Sequence, residues 1–135
     1  MALKYSTPVK NAKLDAVETS VGTAPTLALW TGAAPATPAT ANSGTKVATI
    51  TLPSDWMAAA SGGTKAKSGT WQDSSADAGG TIGYFRIYNV ADPTSCDVQG
   101  TCTNTGDGGD MTFDNVVVNA GQSITITTFT LTAGN

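Results

Sequence analysis

Residues Asn115 to Thr132 read NVVVNAGQSITITTFTLT, two β-branched runs around a short turn. Val, Ile, Thr and Phe suit a pleated, half-buried surface, and Asn119-Ala120-Gly121 puts Gly121 where a three-residue hairpin loop needs positive φ. The stretch predicts a β-hairpin with one dry face. Ile124 and Ile126 share one parity and Phe129 and Leu131 the other, so the alternation slips at Thr127-Thr128, as a β-bulge makes it. With that slip all four apolar side chains reach one core, and the threonines face outward.

The same texture extends through most of the chain. Strands are predicted over Thr26–Thr31, Lys46–Leu52, Thr64–Asp73, Gly79–Val90, Cys96–Thr103 and Met111–Val118, with Gly and Pro between them. Gly79–Val90 is the strongest. Ile82, Tyr84, Arg86, Tyr88 and Val90 share one of its faces and Phe85 and Ile87 the other, which suits a central strand covered on both sides. An arginine there needs a carboxylate partner or a route to solvent. Gly32–Gly44, rich in Pro, Ala and Thr, is a long loop. Pro53–Ser61 reads as a single helical turn capped by Ser54 and ended by Gly62-Gly63.

One short helix precedes the strands. Leu14, Val17 and Val21 fall at i, i+3, i+7 spacing over Val9–Gly22, with Pro8 to open the helix and Gly22 to close it. The expected fold is all-β, an antiparallel β-sandwich or jelly-roll-like single domain with one short N-terminal helix. Residues 1–25 form the arm and helix, and 26–135 form the sandwich.

Composition narrows function. The chain has 135 residues, enough for one core. Charged residues make up 13% of it and the net charge is −3. Arg86 is the sole arginine and histidine is absent. Nucleic-acid binding relies on clustered Lys and Arg, so no nucleic-acid partner is expected. The N-terminal residues lack the apolar core of a secretory signal and no segment has the length of a membrane span, so synthesis in a cytoplasm and no membrane partner are expected.

Four features are candidates for chemistry. Cys96 and Cys102 can close a small disulfide ring if Gly100 bends the chain; otherwise they are two reduced thiols in a strand. The loop Asn104–Asp110 concentrates glycines and oxygen ligands, and Asp107 and Asp110 are weak calcium candidates beside the commoner reading of a solvated Gly/Asp turn. Asp73, Asp77, Asp92 and Asp107 are loop carboxylates of the kind glycoside hydrolysis uses in pairs. With no histidine for a triad and no convergent site in view, the expectation is a protein that is not an enzyme and has no cofactor. Of the tryptophans, Trp30 and Trp71 are assigned to the core. Trp56, beside Pro53 and Asp55, is assigned to an interface.

Four strings of sequence carry a resemblance: Lys10–Val17 (KNAKLDAV), Leu29–Pro35 (LWTGAAP), Asp77–Tyr88 (DAGGTIGYFRIY) and Asn119–Thr130 (NAGQSITITTFT). In this order and spacing, spanning nearly the whole chain, they resemble small structural proteins of tailed bacteriophages. Cys96 and Cys102 lie outside the resemblance. It implies a β-sandwich virion component made in the host bacterial cytoplasm and placed on the capsid surface as a decoration or cement protein. Its partners would be the major capsid protein and copies of itself, a trimer being one such assembly. A tail, collar or head-fibre component is the alternative within the virion. A different class of function is a carbohydrate-binding module on the virion surface that holds host glycans through Trp56 and the Gly/Asp loop. The N-terminal residues through Pro8, with Tyr5, and the loop carrying Pro35 and Pro38 are expected to reach neighbouring subunits, because neither segment has much to bury against in its own domain.

Overall fold

The computed structural model describes residues 2–134. Helix α1 (Thr7–Val21) begins with Pro8 in its first turn and ends at Gly22, whose φ of 90° and N–H bond to the Glu18 carbonyl close it as expected. Leu14 and Val21 are buried and Val17 packs on the core, so the three-residue stripe read from the sequence is the docking face.

Ten strands follow: β1 (Thr26–Thr31), β2 (Lys46–Thr51), β3 (Thr64–Ala66), β4 (Trp71–Asp73), β5 (Gly80–Tyr88), β6 (Cys96–Asn104), β7 (Met111–Phe113), β8 (Val117–Val118), β9 (Ile124–Ile126) and β10 (Thr130–Thr132). The main sheet has the order β2-β1-β5-β6-β7, with β8 also paired to β5. Two ribbons, β3 with β10 and β4 with β9, complete the pairing. The protein is thus β-rich with one helix. It is not wholly antiparallel, because β6 and β7 run parallel, Cys102 opposite Met111. The connection between them is only the Gly-rich loop after Asn104, far shorter than the usual parallel crossover.

The core lies between the main sheet and the ribbons. Leu27 and Leu29 of β1, Phe85 and Ile87 of β5, and Ile124, Ile126 and Phe129 near the C-terminus belong to it. An aromatic file runs through it: Trp56 to Trp71 at 6.1 Å, Trp71 to Phe129 at 5.5 Å, and Phe129 edge-on to Phe85 at 5.5 Å. Such contacts add stability beyond the burial of their area.

Several expectations need correction. The C-terminal stretch turns at Asn119–Gln122, with Gly121 at φ 81°, but its arms do not pair with each other. Each finds a distant partner: β8 on β5, β9 on β4, β10 on β3. The slip at Thr127-Thr128 is a full break between β9 and β10. It has the anticipated effect, since Ile124, Ile126 and Phe129 are buried, Leu131 packs on the core, and Thr125, Thr127, Thr128, Thr130 and Thr132 face out.

Pro53–Ser61 forms no helical turn; Met57 bridges to Lys67 and Ser61 to Thr64. Gly62 and Gly63, at φ 62° and 79°, make the tight turn between them, which only glycine enters cheaply. The strand parity along β5 also breaks. Ile82 joins Phe85 and Ile87 in the core, and the register of β1 on β5 shifts at Trp30/Thr31, beside Gly83. A Cβ on Gly83 would overlap the Gly32 carbonyl oxygen. Val90 lies beyond the strand and is exposed.

Candidate functional site

The face of the main sheet turned away from the core carries Ala28 and Trp30 from β1 and Tyr84, Arg86 and Tyr88 from β5. Trp30 and Tyr84 stack with ring centroids 6.2 Å apart and planes within 9° of parallel. The loop 32–44 folds over this face. Tyr84 Oη donates to the Ser43 carbonyl at 2.6 Å and accepts from its N–H at 3.1 Å. Gln99 Nε2 donates to the Pro35 carbonyl at 2.7 Å.

Arg86 lies beneath this loop, 3% exposed. Nη1 donates to Asn42 Oδ1 at 2.8 Å, and Nη2 donates to the carbonyls of Thr40 at 2.8 Å and Thr37 at 3.2 Å and to Gln99 Oε1 at 2.9 Å. All four acceptors are neutral. Among the described residues the ion pairs are those of Lys65, so the guanidinium is shielded by carbonyl dipoles, with neither the carboxylate nor the solvent route that the sequence suggests. Tyr88 Oη donates to the same Asn42 Oδ1 at 3.0 Å. Burial raises the Tyr88 pKa against the opposing pull of Arg86.

Two clefts open beside this cluster and share Asn42 and Thr94. One, of about 690 Å³, is lined by Arg86, Cys96 and the loop from Thr37 to Asn42. The other, of about 490 Å³, is lined by Trp30, Lys46, Thr49 and Tyr88. Two buried side-chain nitrogens lack an acceptor among the described residues, Trp30 Nε1 and Arg86 Nε. Their residues line the two adjoining clefts, Arg86 the first and Trp30 the second.

The residues singled out by sequence are scattered. Trp56 is 1% exposed and its Nε1 donates to the Gly22 carbonyl at 3.0 Å, so it is a core residue that ties down the helix C-terminus. Trp30, assigned to the core, is half-buried and lies outside the core cluster. Cys96 and Cys102 are free thiols. They lie on one continuous strand, where six residues span roughly 20 Å, beyond the ~7 Å Cα limit of a disulfide. Gly100 does not bend β6; it makes room for Phe85 and Asp110. Burial raises both thiol pKa values, and most strongly that of Cys102.

Asp110 Oδ2 accepts from the Thr101 N–H at 2.8 Å and Oγ1 at 2.9 Å, so it fastens the loop to β6. Asp107 is exposed at the loop tip, and no three acidic or cysteine side chains converge for a cation among the described residues. Asp73 and Asp77 do meet, on Thr49: Asp73 Oδ2 accepts its N–H and Asp77 Oδ2 its hydroxyl, each at 3.2 Å. Asp92 is turned onto Thr94, whose bonds lower its pKa.

Tyr5 is 39% exposed, with Lys13 Nζ 4.3 Å over its ring. Pro8 and Pro38 are exposed and Pro35 is half-buried. The loop expected to have little to bury against thus covers the polar face of its own sheet. Lys46, Asn42 and Thr94 went unmarked in the sequence; the signal pointing to them was the lone arginine in the most apolar strand. Comparison with protein-family models, curated proteins and solved structures returns no match. No helix of the described residues is long and apolar enough to cross a membrane.

Proposed function

We propose that the protein is a non-enzymatic structural component of a tailed-bacteriophage particle, a decoration or cement protein that bridges major capsid subunits. The observation that carries this reading is the N-terminal segment, where Leu3 is 69% exposed, Tyr5 39% and Val9, in the first turn of α1, 44%. Apolar side chains left exposed on an otherwise neutral, hydroxyl-rich surface suit docking to another protein. The resemblance of the four sequence strings supplies the particle. Their residues hold the fold together: Asn11 and Asp15 anchor α1, and Trp30 and Arg86 organise the outer face. Of the carboxylates that hydrolysis could pair, Asp73, Asp77 and Asp92 are engaged by their own chain, and Asp107 stands alone and exposed at its loop tip. In this reading the curled sheet and its ribbons are the two layers of a sandwich of jelly-roll type, and repeated binding at symmetric lattice sites multiplies a modest contact into high avidity.

The test is to count copies per particle by quantitative mass spectrometry, for the full chain and for one lacking residues 2–6. Hundreds of copies, lost on truncation, with particles that leak DNA at lower temperature, are expected of a cement protein. About six to eighteen copies would reassign it to the tail or collar, and none would remove it from the particle.

A further inference from the structure

We infer that the groove formed by the two adjoining clefts, over Trp30, Asn42, Lys46, Arg86, Tyr88 and Thr94, binds an acidic saccharide through its carboxylate. The inference is independent of the particle reading and rests on three observations.

The first is the pair of orphan donors. A buried N–H without an acceptor costs about as much as a lost hydrogen bond, and natively such groups are few. The two such side-chain atoms among the described residues, Trp30 Nε1 and Arg86 Nε, belong to residues that line this groove. Each asks for an acceptor, so the missing partner is rich in oxygen.

The second is charge. Arg86 is almost fully buried with only neutral acceptors, and Lys46 lines the same groove. A desolvated guanidinium strongly favours a carboxylate. Asp92, next in sequence to Pro93 of the lining, is already turned onto Thr94.

The third is the rest of the lining. Beside the small apolar residues Ala28, Pro38, Ala41 and Pro93, it offers hydroxyls, an amide and the aromatic rings of Trp30 and Tyr88, groups that bond ring hydroxyls and pack against the C–H face of a sugar. Because both nitrogens are closed to water in this form, entry has to shift the loop segment Thr37–Asn42.

The experiment is a titration of the ¹⁵N-labelled protein with a glucuronate-containing disaccharide, its uncharged methyl ester and a tetraglutamate peptide. The Trp30 indole and Arg86 Nε–H resonances are followed. The acidic disaccharide is expected to move both, and to bind roughly tenfold more tightly than the ester. Trp30→Phe, which keeps a ring but loses the N–H, and Lys46→Ala, at an exposed position, should each weaken binding roughly fivefold. Arg86→Lys should weaken it further; if that variant does not fold, the other two still decide. Equal binding of acid and ester, tighter binding of the peptide, or shifts that avoid both resonances would overturn the inference.

Discussion

Lys65 Nζ lies 2.7 Å from Asp15 Oδ1 and equally 2.7 Å from Glu18 Oε2, so one ammonium in β3 grips two successive turns of α1. It also donates to the Ala58 carbonyl at 2.8 Å, while Asp15 accepts the Ala60 N–H at 3.0 Å. The helix is therefore fastened through a side chain only 1% exposed. Lys65→Ala should lower unfolding free energy by about 2–4 kcal/mol, from the lost stem and the broken pairs. Lys65→Met, which keeps the volume, should lose less. Urea denaturation followed by tryptophan fluorescence measures both; equal stability of all three proteins would show the grip to be idle.

The same cluster sets a pH window. Burial by itself would depress the Lys65 pKa, but hydrogen bonds to Asp15 and Glu18 outweigh it and hold it above 10.5. Its contribution is fully present below that value and is lost as pH rises through the higher folded value. The Lys65 bond holds Asp15 below 3.8, with the Ala60 N–H assisting. That contribution is present above 3.8 and is lost as pH falls through the lower folded value. Thermal melts from pH 2 to 11 should show a plateau that ends on the alkaline side above pH 9, where the buried Cys96 and Cys102 thiols, held above 9.0 in the folded protein, begin to withdraw stability, and Lys65→Met should remove only the added loss above 10.5.

Trp56 should behave as a core residue in every assay. Trp56→Ala is expected to cost about 3–5 kcal/mol. Trp56→Phe should cost about 1–2 kcal/mol, because the partly buried Gly22 carbonyl loses its donor. Any effect on partner or glycan binding should disappear once the variants are compared at equal folded fraction. A fully stable Trp56→Ala protein that fails to bind would return the residue to an interface.

The thiols should be unequal. Intact mass is expected to be the same with and without reductant, and iodoacetamide at pH 8 should modify half-buried Cys96 well before buried Cys102. Peptide mapping after brief exposure reads this directly. A mass two hydrogens lower without reductant would mean a disulfide after all.

Local patterns were legible where a short stretch decides its own structure. Pro8, the Leu14–Val17–Val21 stripe and Gly22 delimit α1 within two residues, and β5 emerges nearly as read. Phe129 and Leu131 reach the core because the period-two rule and its slip are local too. Partner choice is not. Nothing within Asn115–Thr132 says that Ile126 faces Trp71 or that Leu131 faces Lys65, so proximity in sequence suggested a hairpin. The mistaken assignment of Trp56 to an interface has the same origin, since Pro53 and Asp55 describe Trp56's neighbours in sequence, while its burial depends on Gly22, Trp71 and the ribbons. Arg86 was flagged by its strand. Its acceptors, contributed by the loop 32–44 and by Gln99, could not be read from the strand alone.

The dispersed pairing of the C-terminal segment bears on synthesis. β8, β9 and β10 each complete a different part of the protein, and β1 already waits for β5 across the intervening strands. Closure of such long loops is slow, and it comes late. A chain in which Ile126 and Phe129 have not yet docked exposes the apolar sides of Trp71 and Phe85 that they cover. Completion of the core therefore waits until Thr132 has been made, and a chain truncated before Thr130 is marked for aggregation or proteolysis.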